Sequence, residues 1–386
     1  MPFAVFCYDL LIKNGTVVDP ANGIHKKMDI GIYEPNIADV FEPGTMPGRV
    51  CARKVIDAEG LLVVPGFVEG HGHVLPLAFA YPIEELWKRG ITAICDMGSV
   101  SITSFNRCRR DIINSAPLTV NAALCLSTLM ECDRYYDINA NVEAEVDKYV
   151  IKDVFETHPD VLVGIKLFIG HASTPGAEKT IEVMKKAREV CDFVGCPMVV
   201  HVAAPDIPLP EFIGYFNAGD NFTHTYNKGN IIDPKTGGVY REAWEARKRG
   251  VIFDSARGGR NWSAEVAKVA FAEGFTPDII SSDLTCLSND PRTSRLDVHM
   301  SECMAMGMSF EDVLYHATNV PASCMKGVHP GVKRGLQANL TIIDLQKGPH
   351  IFNDAYGVEY EGEYKIVPKA TVVRGKVMYN ELKTDY

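Results

Sequence analysis

Several features that define other protein classes are missing from this chain of 386 residues. Its eleven cysteines include no Cys-x-x-Cys pair, and their odd number argues against a disulfide framework. No apolar run is long enough to span a bilayer. Met1 to Asp9 lack the basic start and long apolar core of a signal peptide. We therefore expect a cytoplasmic protein that has no membrane partner.

An excess of positive charge is also missing, since the formal net charge is −10. Nucleic acid is therefore not expected as a partner, and a small-molecule substrate is favoured. The one basic cluster, Arg107, Arg109 and Arg110, lies in a stretch that predicts an exposed helix. A composition of 46% hydrophobic and 23% charged residues is ordinary for a globular protein that buries a large core.

Both ends of the chain have a β-rich pattern. Near the N-terminus, short apolar runs are separated by turn signals at Asn14-Gly15 and Asp19-Pro20. Near the C-terminus, Leu340 to Asp344 and Thr371 to Val373 resemble strands, and Arg374-Gly375 predicts a hairpin turn. These two ends flank a central segment of different character.

Between about Leu61 and Met325, apolar strand-like runs alternate with helix-like stretches, which is typical of βα units around a parallel sheet. The helix after the fourth run begins near Thr174-Pro175 and places Ile181, Met184, Ala187 and Val190 on one face. No glycine-rich dinucleotide or P-loop fingerprint follows the first run, which disfavours an open doubly wound sheet. The sequence predicts an α/β fold, a (β/α)₈ TIM barrel, with these eight strands: Val63 to Val68, Ile91 to Cys95, Leu118 to Leu124, Val161 to Ile169, Pro197 to Val202, Asn221 to Tyr226, Val251 to Asp254 and Asp278 to Asp283.

Polar residues at the ends of these runs are candidate site residues, because the active site of a barrel lies at the C-terminal ends of its strands. His71 and His73 end the first run, and side chains two residues apart on a strand point to the same face. His201 lies near the end of the fifth run, the sixth run carries His224, and Asp283 ends the eighth. Singly, such residues also fit surface turns, hydrogen-bonded core histidines or a helix cap. Together they indicate a metal site.

Lys166 lies inside the apolar fourth run, where a charged ammonium is costly to bury. One interpretation is that its amine reaches the end of the strand. Another is that carbon dioxide converts the amine into an anionic carbamate that bridges two divalent cations. Both interpretations fit the sequence.

These residues resemble the motifs of the amidohydrolase superfamily, especially its amidohydrolase/deacetylase branch. The resemblance covers nearly the whole chain: Pro65 to His73, Gly164-Ile165-Lys166, His201, His224, Ser282-Asp283 and Ala317 to Ala322. It implies a TIM barrel over residues 63–331 and a β-sandwich formed jointly by residues 1–62 and 332–386. It also implies N6-carboxylysine at Lys166 bridging two metals, with His71, His73 and Asp283 on one metal and His201 and His224 on the other. Zinc is the default metal, and manganese, iron or cobalt suit the same ligands.

The implied reaction is hydrolysis of the amide or ester bond of a small acylated amino or hydroxy acid by metal-activated hydroxide, with Asp283 as the catalytic residue. The alternative is a cyclic amide hydrolase similar to dihydroorotases and hydantoinases, and a non-catalytic scaffold is a third hypothesis. Arg257 and Arg260 lie where this branch usually has Gly-His-Gly. They are candidate ligands of a substrate carboxylate, although surface or structural roles fit equally. A homo-oligomer is expected.

Overall fold

The structure, a computed structural model, describes residues 5–46, 49–75, 80–127, 147–289 and 295–385. The strands in chain order are β1 (Val5–Asp19), β2 (Ile24–Tyr33), β3 (Asn36–Phe41), β4 (Arg49–Asp57), β5 (Leu62–Pro65), β6 (Phe67–Gly72), β7 (Ile91–Val100), β8 (Thr119–Cys125), β9 (Leu162–Gly170), β10 (Met198–Ala203), β11 (Asn221–Thr223), β12 (Ile252–Phe253), β13 (Leu340–Asn353), β14 (Glu359–Val373), β15 (Lys376–Asn380) and β16 (Thr384–Asp385).

The α-helices in chain order are α1 (Phe105–Asp111), α2 (Lys148–Thr157), α3 (Ala177–Val194), α4 (Leu209–Phe212), α5 (Arg241–Lys248), α6 (Ala264–Ala272), α7 (Leu296–Ala305), α8 (Phe310–His316) and α9 (Asn319–Ser323). Short 3₁₀ helices add single turns at Pro20–Asn22, Ile83–Glu85, Trp87–Arg89, Ile113–Ser115, Ile213–Tyr215 and Cys286–Asn289. Among the helices that the structure describes, none has the length and apolar character that crossing a bilayer requires.

A parallel sheet of seven strands forms the centre of the molecule, in the order β12-β11-β10-β9-β8-β7-β6. Neighbours in this sheet are also neighbours in sequence, as expected for successive βα units. The predicted eighth strand, Asp278 to Asp283, is not a continuous strand. The segment 279–284 forms isolated parallel bridges instead: Ile279 pairs with Asp254 and Leu284 with Gly72. The predicted α/β class is confirmed, and this segment pairs beside both edges of the sheet.

The two ends of the chain share a second sheet. Its order is β15-β14-β13-β5-β1-β2-β3, with β4 paired to β1 and β16 to β4. The ends meet where β13 pairs antiparallel with β5, from Leu340 opposite Pro65 to Ile343 opposite Leu62. A separate apolar cluster lies on this sheet and includes Val63, Ile342 and Val372.

The first predicted strand, Val63 to Val68, is wrong in its boundaries because the chain changes sheets within it. Leu62–Pro65 is β5 of the nine-stranded sheet, and Phe67–Gly72 is β6 of the parallel sheet. Gly66 lies between them, and a Cβ there would overlap the side chain of Thr92. The residue at this passage must therefore be glycine, and the shift places His71 inside β6 rather than beyond it.

The predicted Asn14-Gly15 turn is also wrong, since both residues lie inside the continuous strand β1. The pairing with β2 shifts register between Ile12 and Gly15, and Asn14 has φ +64°, so these residues form a bulge. Arg374-Gly375 does connect β14 to β15 as predicted, with φ values of +49° and +80°. In β1, the bulge allows one long strand to pair with β2, β4 and β5.

Helices pack their apolar faces on the parallel sheet. In α3, Met184, Ala187 and Val190 are buried as predicted, while Ile181 is half-buried. This helix begins at Ala177, after Gly176, rather than at Thr174-Pro175. The prediction of an exposed basic helix is confirmed for α1, where Arg107 and Arg110 form surface ion pairs with Asp111.

Ile342 offers a test of the nine-stranded sheet as a separate core. Its side chain is fully buried in β13, whereas Ile351 on the same strand is 59% exposed. Truncation of Ile342 to alanine removes buried methyl groups and leaves a cavity, so Ile342→Ala should lower the free energy of unfolding by about 2–5 kcal/mol. Ile351→Ala is the matched control and should change it by less than about 0.5 kcal/mol. Equal losses in urea denaturation would contradict this assignment of the core.

Candidate metal centre

The six residues predicted as metal ligands lie at one end of the parallel sheet, where the strands reach their C-terminal ends. They are His71 in β6, His73 just after it, Lys166 in β9, His201 in β10, His224 just after β11, and Asp283 in the segment 279–284. His71, His73, Lys166 and His224 are buried, while His201 and Asp283 are partly exposed. The six residues are therefore mostly enclosed by the protein, and only His201 and Asp283 reach solvent.

His71 is held by a carboxylate behind it. Its Nδ1 lies 3.2 Å from Oδ2 of Asp254, and its Nε2 lies 3.1 Å from the Nζ of Lys166. Because the carboxylate accepts the proton on Nδ1, the lone pair of the ring lies on Nε2, facing the other ligands. Burial lowers the pKa of His71 well below its ordinary value, and the neighbouring Lys166 lowers it further. The imidazole is therefore neutral, as a metal ligand must be.

His73 and Asp283 form a second contact pair. Nε2 of His73 lies 3.1 Å from Oδ1 of Asp283, and Nδ1 lies 2.9 Å from Oγ of Ser99. One ligand atom each from His71, His73 and Asp283 lie within 4.8 Å of one another, close enough to bind one ion. Burial opposes ionisation of Asp283, but the hydrogen bond from His73 and the charge of the nearby Lys166 amine lower its pKa below the ordinary value. This carboxylate is therefore anionic near neutral pH.

Lys166 is fully buried among the six candidate ligands. Its aliphatic stem packs on Gly98, where an added Cβ would lie 2.5 Å from Cγ and 2.8 Å from Cβ of the lysine. Its amine contacts His71 Nε2 rather than a carboxylate, and lies 5.3 Å from the centre of the Phe168 ring. Burial lowers the pKa of the amine to about 8. The neutral fraction near neutral pH is thus larger than for an ordinary lysine, and the neutral amine is the nucleophilic form.

His201 and His224 complete the set on the next two strands, with ring centroids 4.0 Å apart. Nδ1 of His224 lies 2.6 Å from the carbonyl oxygen of Ala256, which can only accept a hydrogen bond, so Nδ1 carries the proton. Burial lowers the pKa of His201 to about 3 and that of His224 well below its ordinary value. Both imidazoles are therefore neutral.

The donor chemistry of this set fits divalent cations. Nε2 of His224 is buried and has no hydrogen-bond partner among the described residues, a costly state for an isolated acceptor. Four imidazoles, one carboxylate and one buried amine are the nitrogen and oxygen donors that zinc and similar metals take. The unpartnered nitrogen is explained if a cation binds there.

Three residues near the ligands were missed by sequence reasoning. Asp254 and Ser99 orient His71 and His73, and Glu69 accepts hydrogen bonds from the backbone N–H of His71 (3.1 Å) and of Ser282 (3.0 Å). Burial raises the pKa of Glu69 to about 8. Asp254 ends the seventh predicted run, which is a usable signal, whereas nothing in the local sequence marks Ser99. Glu69 thus links the strand of His71 to the segment of Asp283.

The two predicted substrate-binding arginines differ in their surroundings. Arg257 is buried, and its guanidinium donates to both carboxylate oxygens of Glu302 and to the carbonyl oxygens of Gly258 and Asn353. These contacts correct the prediction for Arg257, because its donors are occupied within the protein. Arg260 is exposed in the turn after Gly258. This turn lies close to the candidate ligands, because a Cβ added at Gly258 would lie 2.5 Å from Oδ2 of Asp283. Arg260 therefore remains a candidate for contact with substrate.

The chain is similar to one protein family and to several known proteins. Residues 62–378 match the family model described as Amidohydrolase family. A deacetylase from Enterococcus faecalis is 28% identical over 389 residues, covering 97% of this chain and 100% of its own length. A solved adenine deaminase structure has a TM-score of 0.83 at 25% identity, covering 97% of this chain and 100% of that one. A dihydroorotase structure has a TM-score of 0.79 at 24% identity, covering 96% and 97%, and shows the fold alone.

The close packing of Gly98 on Lys166 gives a direct test of the centre. Gly98→Ala should weaken binding of a divalent cation about tenfold to a hundredfold, because the new Cβ displaces the lysine. Gly176→Ala is the matched control: Gly176 has a similar φ, +86° against +95°, but an added Cβ there meets nothing within 4 Å. Zinc affinity of each variant, measured by competition with a chromogenic chelator, checks this. If both variants bind zinc like the wild type, Lys166 is not part of the centre.

Proposed function

The chain belongs to the amidohydrolase family, and we propose that it hydrolyses the amide or ester bond of a small acylated amino or hydroxy acid. The family and the relatives identify the chain as a hydrolase of carbon–nitrogen bonds. The acylated substrate is supported by the Enterococcus faecalis deacetylase, which aligns over its full length. Arg260, exposed on the turn beside Asp283, is the residue that we propose to contact a substrate carboxylate.

The observation that carries this proposal is a buried nitrogen without a partner that lies among other metal-binding side chains at the strand ends. His224 presents a buried nitrogen with no partner among the described residues, and the amine of Lys166 lies beside an imidazole nitrogen rather than a carboxylate. A structural polar network would satisfy these groups internally. Their arrangement therefore supports the proposal that cations complete the site.

We propose that His71, His73 and Asp283 hold one divalent cation and that His201 and His224 hold the other. Zinc is the expected metal, and manganese, iron or cobalt are compatible with the same ligands. Lys166 would bridge the pair as N6-carboxylysine. Its neutral amine would attack carbon dioxide: an N–C bond forms, one C–O π pair moves onto oxygen, and one proton passes to solvent, which leaves an anionic carbamate. Burial lowers the pKa of this amine to about 8, which increases the fraction in the reactive form relative to an ordinary lysine.

The proposed chemistry divides between the cations and the protein. When bound, two cations lower the pKa of a water molecule and polarise the substrate carbonyl. Asp283 accepts the proton of the attacking water and transfers it to the leaving nitrogen or oxygen. Its partner His73 holds Oδ1 at 3.1 Å, which fixes the carboxylate near the other ligands. Asp254, through its contact with Nδ1, keeps His71 in the required tautomer.

The architecture that we propose for this function is a closed (β/α)₈ barrel. The support is the segment 279–284, which bridges to Asp254 near the end of β12 and to Gly72 of β6. We further propose that the barrel spans residues 66–331, beginning after β5, and that the residues before and after it form the β-sandwich. A closed barrel would bring Asp283 beside His73, as the 3.1 Å contact between them requires.

Metal content and intact mass test the binuclear centre. About two equivalents of divalent metal per chain, with a mass increase of one carbon dioxide under non-denaturing conditions, are expected. Lys166→Met should lose the mass increase and bind fewer metal ions. One metal with an unmodified lysine would indicate a mononuclear centre. A metal-free protein, after reconstitution, would favour the non-catalytic scaffold hypothesis.

Asp283→Asn tests the proton transfer. This isosteric change should lower kcat/KM for an acylated amino acid by about 10²- to 10⁴-fold, the usual contribution of general acid–base catalysis. Asp192→Asn, at an exposed carboxylate on α3, is the control and should retain activity. Substrates should include N-acyl and O-acyl acids beside cyclic ureides and imides. Hydrolysis of the cyclic compounds alone would favour the dihydroorotase-like or hydantoinase-like alternative.

A further inference from the structure

The hairpin of β13 and β14 reaches the loops that follow β11 and β12. Its tip, residues 353–360, contacts both loops directly. The backbone N–H of Ala355 donates to the carbonyl oxygen of Trp262 at 2.9 Å, and the carboxylate of Asp354 accepts from the N–H of Ala264 at 3.0 Å. The hydroxyl of Tyr356 donates to Oδ1 of Asn227. The hairpin tip is thus attached to the end of the barrel where the metal centre lies.

A buried ion pair strengthens this attachment. Nε and Nη2 of Arg257 donate to Oε2 and Oε1 of Glu302 at 3.2 and 3.1 Å, and Nη2 also donates to the carbonyl oxygen of Asn353. Glu302, on α7, additionally accepts from Nδ1 of His299 at 2.8 Å. The side chains of Arg257 and Glu302 are 2% and 1% exposed. A bidentate pair at this burial fixes the position of the backbone around Arg257.

Both attachments lead to His224. Ala256, the residue before Arg257, supplies the carbonyl oxygen that accepts the proton of His224 Nδ1. Asn227, held by Tyr356, donates its backbone N–H to the carbonyl oxygen of His224 at 3.0 Å. His224 has φ +59°, a conformation that non-glycine residues adopt only where their surroundings impose it. Its ring and its backbone are therefore fixed by two segments that both contact the hairpin tip.

We propose that the hairpin tip, acting through Arg257 and Asn227, positions His224 for metal binding. This inference rests on the proposed function, because it takes His224 as a ligand of the second cation. It makes Arg257 a positioning residue in place of the predicted substrate contact. It also gives a physical role to the Asp254 to Asn261 segment, in which Arg257 replaces the pattern usual in the deacetylase-like branch. Residues more than a hundred positions after His224 in the chain thereby set its orientation.

Cobalt(II) titration, followed by visible absorption, tests this role. Arg257→Lys keeps the positive charge but removes the guanidinium that binds Glu302 through two nitrogens. Tyr356→Phe removes one hydroxyl from a side chain that is 44% exposed. Each should weaken the binding of the second cobalt ion about tenfold and change its absorption bands, since partners that orient a metal-binding histidine act on affinity in this range. Reconstitution with cobalt provides a readout that does not depend on activity.

Arg188→Met is the matched control. It breaks the pair of Arg188 with Asp220, a buried carboxylate at the start of β11, the opposite end of the strand that precedes His224. This variant should bind cobalt as the wild type does. If Arg257→Lys and Tyr356→Phe bind cobalt like the wild type, the inference is overturned. Equal weakening in all three variants would also overturn it, because the effect would then be general destabilisation.

A second measurement separates this inference from the proposed function. If the wild-type protein binds no cobalt, the proposed metal centre fails, and hydrogen exchange of the metal-free protein then decides the positioning role. Amides of residues 222–230 and 254–261 should exchange faster in Arg257→Lys and in Tyr356→Phe than in the wild type or in Arg188→Met. Unchanged exchange in these two segments would overturn the positioning role.

Discussion

The geometry of the candidate metal centre depends on two hydrogen bonds. In each, the Nδ1–H of a buried imidazole donates to an oxygen that can only accept. Asp254 accepts from His71, and the carbonyl oxygen of Ala256 accepts from His224. Each bond fixes the proton of the histidine on Nδ1 and turns Nε2 toward the other candidate ligands. Both acceptors belong to the segment after β12, so the path of that segment determines where two ligands point. The buried ion pair of Arg257 with Glu302 holds the same segment.

The sequence allowed the location of the candidate ligands to be predicted, because most of them were expected at strand ends. A histidine or aspartate that terminates an apolar run in a parallel sheet lies at the C-terminal edge, whatever the details of packing. His201 and His224 needed no more than this rule. Lys166 needed the additional argument that an ammonium within an apolar strand requires an explanation.

The parts that could not be predicted depend on contacts between distant segments. The passage from one sheet to the other at Gly66 depends on Thr92, and the bulge at Asn14 depends on pairing with three strands. Arg257 resembled a substrate ligand because its partners, Glu302 and Asn353, lie 45 and 96 residues further along the chain. A local pattern carries no information about such partners. The same reason explains why Ser99, next to His73 in space, was missed.

The pairing of β5 with β13 has a consequence for the order of folding during synthesis. These strands are joined side by side, yet roughly 275 residues separate Pro65 from Leu340. At ribosomal rates of about 5–20 residues per second, the edge of β5 stays unpaired for roughly 14–55 s before β13 is synthesised. An unpaired strand edge is a template for association with other chains. The nine-stranded sheet is therefore the last part of the protein to close, and a nascent chain stalled before residue 340 would expose this edge to chaperones and to other copies of itself.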